Sequence, residues 1–370
     1  MKKVISMVGT SIITNVLEEE EGLYNYYDEL KDKSYSDWEY YERKIRKIKD
    51  GVLEYLKDDE NFEKASAEIE SILEISKKYK DENKKVYLLT TDTILSYLSA
   101  EIIKTIFEEY VENSDIEIKI HLVKSLNVNE NFVEGLNNLI GKIENIAGGY
   151  YENLIFNITG GYKGIIPYLT IMAVVNECEI YYIHEESNKL IRIPQIPLKI
   201  DYNLFEKYEE LIIKLENGIE SYQKLKVENY KACEKLEKSG LVEIVDDIAF
   251  LSPIGRILFN RYKGQFVYFY ATDEIYKDIK NKKEIMRILK SKFFENYNSK
   301  TQDKSGHLVY DDGNNQNRIF YFKDGDEIYI YKVFEDHDKY EKYLNSEKFT
   351  NEFKESYKNL SKLRRIKKEE

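Results

Sequence analysis

The stretch Leu154-Ile155-Phe156-Asn157-Ile158-Thr159-Gly160-Gly161-Tyr162-Lys163 most restricts what this chain can fold into. A short apolar run leads into paired glycines, and Gly164-Ile165-Ile166-Pro167-Tyr168-Leu169 carries the apolar character on through Val175. That order predicts a buried strand, a sharp turn and a helix. Two glycines let the backbone turn tightly and let a ligand approach it closely. The first turn of the following helix offers unpaired N–H groups and the positive end of the helix dipole, which suits an anion. Lys163 adds a mobile positive charge. A plain strand-to-helix turn satisfies the same spacing, but Asn157, Thr159 and Lys163 add polar groups that such a turn does not need.

The chain before this stretch repeats the theme. Lys3–Val8 reads as a buried parallel strand and runs into Gly9-Thr10-Ser11, with Asn15 close by. Residues 16–60 are polar and helical and include the only tryptophan, Trp38; an amphipathic helix follows over about 61–80. Val86–Leu89 is a strand that ends in Thr90-Thr91-Asp92-Thr93, and a helix covers about 93–112. Ile116–Val123 is a strand that ends in Lys124-Ser125-Leu126-Asn127, a helix covers about 130–146, and Glu179–His184 is a last strand. Strands alternating with helices predict a parallel sheet with helices on both faces. In such sheets ligands bind beyond the C-terminal ends of the strands. Gly9-Thr10-Ser11, Thr91-Asp92, Lys124-Ser125 and Thr159–Lys163 all fall at that end. Each could be only a helix cap, since Ser, Thr and Asp are preferred there; together they could form one shared site. The dinucleotide fingerprint G-x-G-x-x-G is absent, which weakens a nicotinamide-cofactor reading.

Composition sets the outer bounds. The 370 residues suit two or three domains at ~100–200 residues each. The mix of 42% hydrophobic and 34% charged residues suits a soluble globular protein. No run approaches the ~18 apolar residues needed to cross a bilayer, and the apolar stretch at the N-terminus is too short for a signal peptide core. Cys178 and Cys233 suggest neither a disulfide framework nor a metal site, so a reducing cytoplasm is expected. The net charge of −12 argues against nucleic-acid binding through the overall field. From Gln265 onward, however, 22 Lys and Arg face 20 Asp and Glu, whereas the first 264 residues hold 34 against 48. The C-terminal part is the better partner for RNA.

Val8-Gly9-Thr10-Ser11-Ile12-Ile13-Thr14-Asn15 resembles the first-strand motif of CARF domains, the CRISPR-associated Rossmann-like sensors, and Asn157–Lys163 resembles their second motif. The resemblance covers about residues 1–190, and the sensor domain it implies is taken as residues 1–200. It implies a homodimer formed through this domain, with a cyclic oligoadenylate, cyclic tetra-adenylate being the commoner case, bound as activator across the two-fold axis. Gly9, Thr10, Ser11, Thr91, Asp92, Lys124, Ser125, Asn157, Thr159, Gly160, Gly161, Tyr162 and Lys163 would line that pocket.

Residues 201–262 change character. Helical segments at Phe205–Glu216, Ile219–Lys226 and Tyr230–Lys238 precede Val242–Val245 and Ala249–Leu251, which bracket an Asp246-Asp247 turn. Ser252 and Pro253 then open another helix as N-cap and N1. The pattern resembles a winged helix-turn-helix. Helix 230–239 mixes Lys231, Lys235 and Lys238 with Glu234 and Glu237, so it lacks a clean basic face, and a connector role is favoured over DNA reading.

Residues 263–370 read as a small α+β domain. A helix over about 283–296 and a polar loop Asn298–Ser305 precede strands His307–Tyr310, Arg318–Phe322 and Glu327–Phe334, with turns at Asp312–Asn315 and Asp324–Asp326 and a final helix from Asp336. The strand Arg318-Ile319-Phe320-Tyr321-Phe322, followed by an Asp-Gly turn, resembles the central strand of the RelE mRNA interferases; Val333-Phe334 with His337 and Tyr340 resembles the next strand and the helix behind it. The resemblance implies an antiparallel sheet and metal-independent cleavage of mRNA on the ribosome, with no cofactor. Such cleavage needs a base for the attacking 2′-OH, an acid for the leaving 5′-oxygen and cations for the crowded phosphorane. Arg318 can grip phosphate with a fixed fork and His337 can move protons near neutral pH. Lys304, His307 and Lys300 could support the pocket, and Tyr340 or Tyr343 could stack on a base or donate a proton. Without the resemblance, Arg318 and His337 read equally as solvated surface groups.

The stretch before the central strand, His307–Asp312, departs from the family pattern in being partly acidic, and the basic tail Lys362–Lys368 could touch rRNA or simply solubilise the end. Other readings are a CARF–winged-helix transcription regulator that responds to ligand and a CARF-fused metal-dependent nuclease. The Arg-then-His signature of HEPN ribonucleases does not occur around His121, His184, His307 or His337.

Overall fold

A computed structural model describes residues 1–17, 21–57, 65–111, 115–126, 132–184, 189–313 and 316–368. Asn127 and the Asn314-Asn315 part of the expected turn lie outside the described residues. The chain forms two compact units, Met1–Arg261 and Tyr262–Glu370.

The first unit is built on a six-stranded sheet: β1 (Lys2–Met7), β2 (Lys84–Thr91), β3 (Ile116–Val123), β4 (Leu154–Asn157), β5 (Glu179–His184) and β6 (Lys189–Ile193) in the order β3-β2-β1-β4-β5-β6. The first five are mutually parallel; β6, which the sequence reading omitted, closes the edge antiparallel to β5. Strand side chains alternate between two faces. Val4, Val8, Val86, Leu88 and Ile155 enter one core with helices Ser11–Leu17, Trp38–Lys57, Ala67–Lys78 and Ile94–Glu109. Ile5, Met7, Leu89, Phe156 and Ile180 enter another with helices Phe132–Ala147 and Ile166–Val175. The parallel sheet with helices on both faces is therefore as expected. Strand order reverses between β1 and β4, and a doubly wound sheet opens its ligand crevice at such a switch point.

Residues 201–261 fall within this first unit. Helices Asn203–Glu216, Tyr222–Glu228 and Tyr230–Lys238 precede a hairpin of β7 (Val242–Val245) and β8 (Ile248–Leu251) and a helix Pro253–Gly264. Asp246 and Asp247 both have left-handed φ, 50° and 64°, as a two-residue hairpin loop of matching twist requires. Ser252 caps the last helix by accepting the Gly255 N–H at 2.9 Å. On helix Tyr230–Lys238, Lys238 pairs with Glu234 at 2.9 Å, so its own carboxylate offsets that charge.

The second unit holds β9 (Phe266–Ala271), β10 (Thr301–Lys304), β11 (His307–Asp311), β12 (Arg318–Asp324), β13 (Glu327–Phe334) and β14 (Lys362–Lys367) in the order β10-β11-β12-β13-β9-β14. All neighbours are antiparallel except β13 and β9. Helices Lys283–Ile288 and Phe294–Lys300 are joined by a π-turn at Leu289–Phe293. Helices His337–Ser346 and Asn351–Leu360 follow the central strands, and Asp336 caps the first by accepting the Lys339 N–H at 3.0 Å.

Two expectations change here. The polar loop 298–305 is the end of a helix and then β10, which turns through Ser305-Gly306 into β11; the polar residues face solvent along an edge strand rather than mark a loop. The basic tail is not a loose end. It is β14, paired with β9 along six residues, with Arg364 ion-paired to Asp273 and the Arg365 guanidinium over the Phe266 ring at 4.7 Å.

Candidate functional site

Three of the four predicted clusters meet at the switch point. A cavity of about 330 Å³ is lined by Val8, Gly9 and Thr10 after β1, by Thr91 at the end of β2 with Thr93 and Ser96 beyond it, and by Gly161 and Tyr162 after β4. Among the described residues of the loop after β3, only Leu126 joins them. The two glycine loops touch: a Cβ on Gly9 would lie 3.4 Å from the Gly161 nitrogen. Gly161 has φ +86°, and a Cβ there would fall 2.5 Å from the Met7 Cβ, so no side chain fits.

Ser11, Asp92, Ser125, Asn157 and Thr159 hold the loops rather than line the cavity. The Gly9 N–H and the Ser11 hydroxyl both donate to one carboxylate, Glu68, at 3.0 and 2.8 Å. Asn157 is buried; its amide donates to Ser6 at 3.0 Å and Ser71 at 2.8 Å, and its oxygen accepts the Thr159 hydroxyl at 2.7 Å. The Thr159 hydroxyl oxygen in turn accepts the Ile183 N–H at 3.0 Å, so the turn is tied to β5. Asp92 accepts the Ser125 N–H at 2.8 Å and links the loops after β2 and β3. Gly160 leaves room for the Glu68 carboxylate, since a Cβ would lie 2.3 Å from Oε1. Lys163 and Lys124 are exposed, and Lys163 opens the 3-10 turn Lys163–Ile165 directly after Tyr162. Among the described residues neither the Lys163 ammonium nor the Thr10 hydroxyl has a hydrogen-bond partner. Sequence reasoning missed Glu68. Its signal was present: Glu68 stands four and seven residues before Ile72 and Ile75, on the buried face of its helix.

A second cluster forms in the second unit around Tyr340, which is 1% exposed. The Lys304 ammonium donates to the Tyr340 oxygen at 2.6 Å. The Arg318 guanidinium lies 5.5 Å from the Tyr340 ring centre, and the exposed His337 ring lies 5.7 Å from it. Arg318 sits opposite Asp311 across β11 and β12 and pairs with it at 3.0 Å. The acidic stretch that departs from the family pattern thus supplies the partner of the predicted phosphate-binding arginine.

His307 stands apart from this cluster. It is 2% exposed, with Nδ1 2.7 Å from the Tyr331 oxygen and Nε2 3.1 Å from the Glu347 carbonyl. A carbonyl only accepts, so Nε2 carries the proton and, in the neutral ring, Nδ1 accepts from Tyr331. Burial pushes the Tyr331 phenol above its ordinary range, which keeps it a donor. Both ring nitrogens are committed to holding the sheet to the segment after helix His337–Ser346. Tyr343 is pushed up to about 12 by burial and stays protonated at neutral pH. Lys300 ends its helix exposed. Among the described residues no group of three or more His, Cys, Asp or Glu is placed to hold a metal ion, and no helix is long and apolar enough to cross a membrane.

The first unit is therefore an α/β body with a loop-lined cleft at its topological switch point. Residues 63–196, which run from before helix Ala67–Lys78 to just past β6, match the family model described as CRISPR-associated protein (Cas_APE2256). Among solved structures the chain is similar to Can2 from Sulfobacillus thermosulfidooxidans, determined in complex with cyclic tetra-adenylate (cA4), at 12% identity over 66% of this chain and 69% of that one, with a TM-score of 0.19. A likeness that slight carries no argument about this site.

Proposed function

We propose that the first unit is a CARF-type sensor that binds a cyclic oligoadenylate, cyclic tetra-adenylate in the first instance, and that the ligand switches on the second unit as a RelE-type mRNA endoribonuclease of type III CRISPR defence. The observation that carries the sensor reading is the convergence of three strand-end loops on one 330 Å³ cavity beside the exposed Lys163. The CRISPR-associated match over residues 63–196 supports it. In this reading Thr10, Thr91 and Thr93 meet ribose and base edges, and Lys163 with the adjoining N–H groups meets phosphate. The active form is a cytoplasmic homodimer joined through the sensor, and residues 201–262 connect it to the effector of residues 263–370.

The Tyr340 cluster supports the ribonuclease reading. The 2′-OH attacks the adjacent phosphorus; the 2′-O–P bond forms as the P–5′-O bond breaks, leaving a 2′,3′-cyclic phosphate and a 5′-OH. Lys304 and Arg318 place positive charge where the phosphorane gathers negative charge. His337, exposed beside Tyr340, moves the proton, and the buried Tyr340 phenol holds the Lys304 ammonium in place. His307 is assigned a supporting role beneath them. Ribosome and mRNA are the partners, and the chemistry needs no metal.

The test is cleavage mapping on ribosome-bound mRNA in the magnesium that ribosomes require, and on free mRNA with and without a chelator, each with and without cyclic tetra-adenylate. Ligand-dependent cuts on ribosome-bound mRNA that disappear in Lys304→Ala are expected. Metal-dependent cutting of naked RNA, or equal activity without ligand, would sink the proposal.

A further inference from the structure

One turn of helix Ala67–Lys78 reaches beneath both glycine loops of the cleft. Glu68 is 2% exposed and accepts the Gly9 N–H and the Ser11 hydroxyl on its two oxygens. The same carboxyl group rests on Gly160, where a Cβ would meet Oε1, Cδ and Cγ at 2.3, 2.4 and 2.5 Å. Three residues on, Ser71 accepts from the Asn157 amide at 2.8 Å and donates to the Glu68 carbonyl at 3.0 Å. Asn157 then orients Thr159, which is bonded to β5. The first loop thus hangs from Glu68, and the second hangs from Ser71 through Asn157.

A buried carboxylate is costly unless hydrogen-bonded, and charge-assisted bonds to N–H and O–H donors are the strong kind. This one sits under a cleft read as an anion site, which needs a reason. The helix cannot give way readily: Ser66 caps it by accepting from Ile69 at 3.2 Å, and Ser71 pins it to β4. We infer that Glu68 is a positioning residue of the cleft, which fixes the Gly9–Ser11 loop against Gly160-Gly161 before any ligand arrives. The inference rests on the sensor reading for its functional meaning. It has a consequence for recognition: the Gly9 N–H and Ser11 hydroxyl are already bonded to an anion of the protein itself. The ligand's phosphates are left to the rim, where Lys163 is exposed, and the ligand's neutral hydroxyl and amine groups lie over the Gly9 loop.

The experiment compares wild type with Glu68→Ala, Glu68→Gln and Ser11→Ala in the full chain by amide hydrogen exchange without ligand and by calorimetric titration with cyclic tetra-adenylate. Gln keeps an acceptor for Gly9 and the side-chain volume; Ala keeps neither. Glu68→Ala should speed exchange in both loops and weaken binding by roughly tenfold or more, the size of losing one or two charge-assisted bonds. Glu68→Gln should restore both to near wild type, a rescue that a simple need for charge would not give. If Glu68→Ala fails to fold, Ser11→Ala carries the test and should loosen the first loop alone. Unchanged exchange in Glu68→Ala, or in Ser11→Ala when it carries the test, would overturn the inference. So would tighter ligand binding by Glu68→Ala, because the carboxylate would then be a competitor of the ligand. Faster exchange in Glu68→Ala, together with a wild type that fails to bind cyclic tetra-adenylate, would keep the positioning role and remove the sensor reading instead.

Discussion

Replacing Arg318 by Ala should damage stability as well as chemistry, and the two effects are separable. Arg318 and Asp311 pair at 3.0 Å with side chains 11% and 14% exposed. Breaking a buried pair by removing one partner costs about 3–5 kcal/mol. Asp311 keeps the Gly313 N–H on its other oxygen at 2.9 Å, so the lower end applies. Loss of the guanidinium over Tyr340 adds about 0.5–1 kcal/mol. The sum, about 3.5–4 kcal/mol, is a large share of the ~5–15 kcal/mol that holds a domain together. The double variant Asp311→Asn/Arg318→Ala removes the stranded charge and should recover about half of the loss. Amide exchange in β12 reads the second unit, while Trp38, the only tryptophan, reports on the first unit by fluorescence during urea unfolding. Cleavage should be absent in both variants if the guanidinium serves the reaction. Restored cleavage in the double variant would mean that Arg318 acts only through folding, and a single variant within about 1 kcal/mol of wild type would refute the burial argument.

Gly161→Ala places a Cβ 2.5 Å from that of Met7 at φ +86°, and about 2–4 kcal/mol of destabilisation should appear in urea unfolding followed at Trp38. His307→Ala strands the Tyr331 hydroxyl and the Glu347 carbonyl, with an expected loss of about 2–4 kcal/mol and no movement of the limbs of the cleavage pH profile; a displaced limb would put His307 in the chemistry. Burial pushes the Cys178 thiol up to about 12, and Cys233 is buried as well, so a thiol-specific reagent at pH 8 should label neither cysteine in the native chain and both after denaturation. Hydrogen bonds from Lys358 and then Lys354 hold the Asp324 carboxyl below its ordinary range. Its folded pKa is lower than its unfolded one, so its contribution is complete above about pH 4 and is lost as pH falls through the folded value. Asp324→Asn should therefore flatten the acid limb of a melting-temperature profile.

Much of the backbone was legible from local rules. Apolar runs separated by amphipathic stretches gave the five parallel strands and their helices, because strand and helix periodicity act over a few residues. Asp246-Asp247 and the Asp324-Gly325-Asp326 turn were readable for the same reason: turn chemistry is local. Two misreadings were edge strands. Thr301–Lys304 and Lys362–Lys367 are polar, and nothing in a polar segment announces the strand it will pair with. The candidate residues themselves were found by type and position, and Gly9, Thr10, Thr91, Gly161 and Tyr162 do meet in one cleft.

The sequence by itself determined the order of elements, the strand-end loops and the side chains able to carry charge or protons. Only the tertiary structure decided which of those side chains still face outward. Ser11 meets Glu68 across 57 residues, Asn157 meets Ser6 across 151, and His307 meets Tyr331 and Glu347 across 24 and 40. A hydrogen bond forms over about 3 Å and depends on direction, so pairs that far apart along the chain are set by sheet order and register. That is why Asn157–Lys163 could be read as a candidate binding turn from its residues, while the bonds from Gly9 and Ser11 to Glu68 became visible only in the fold.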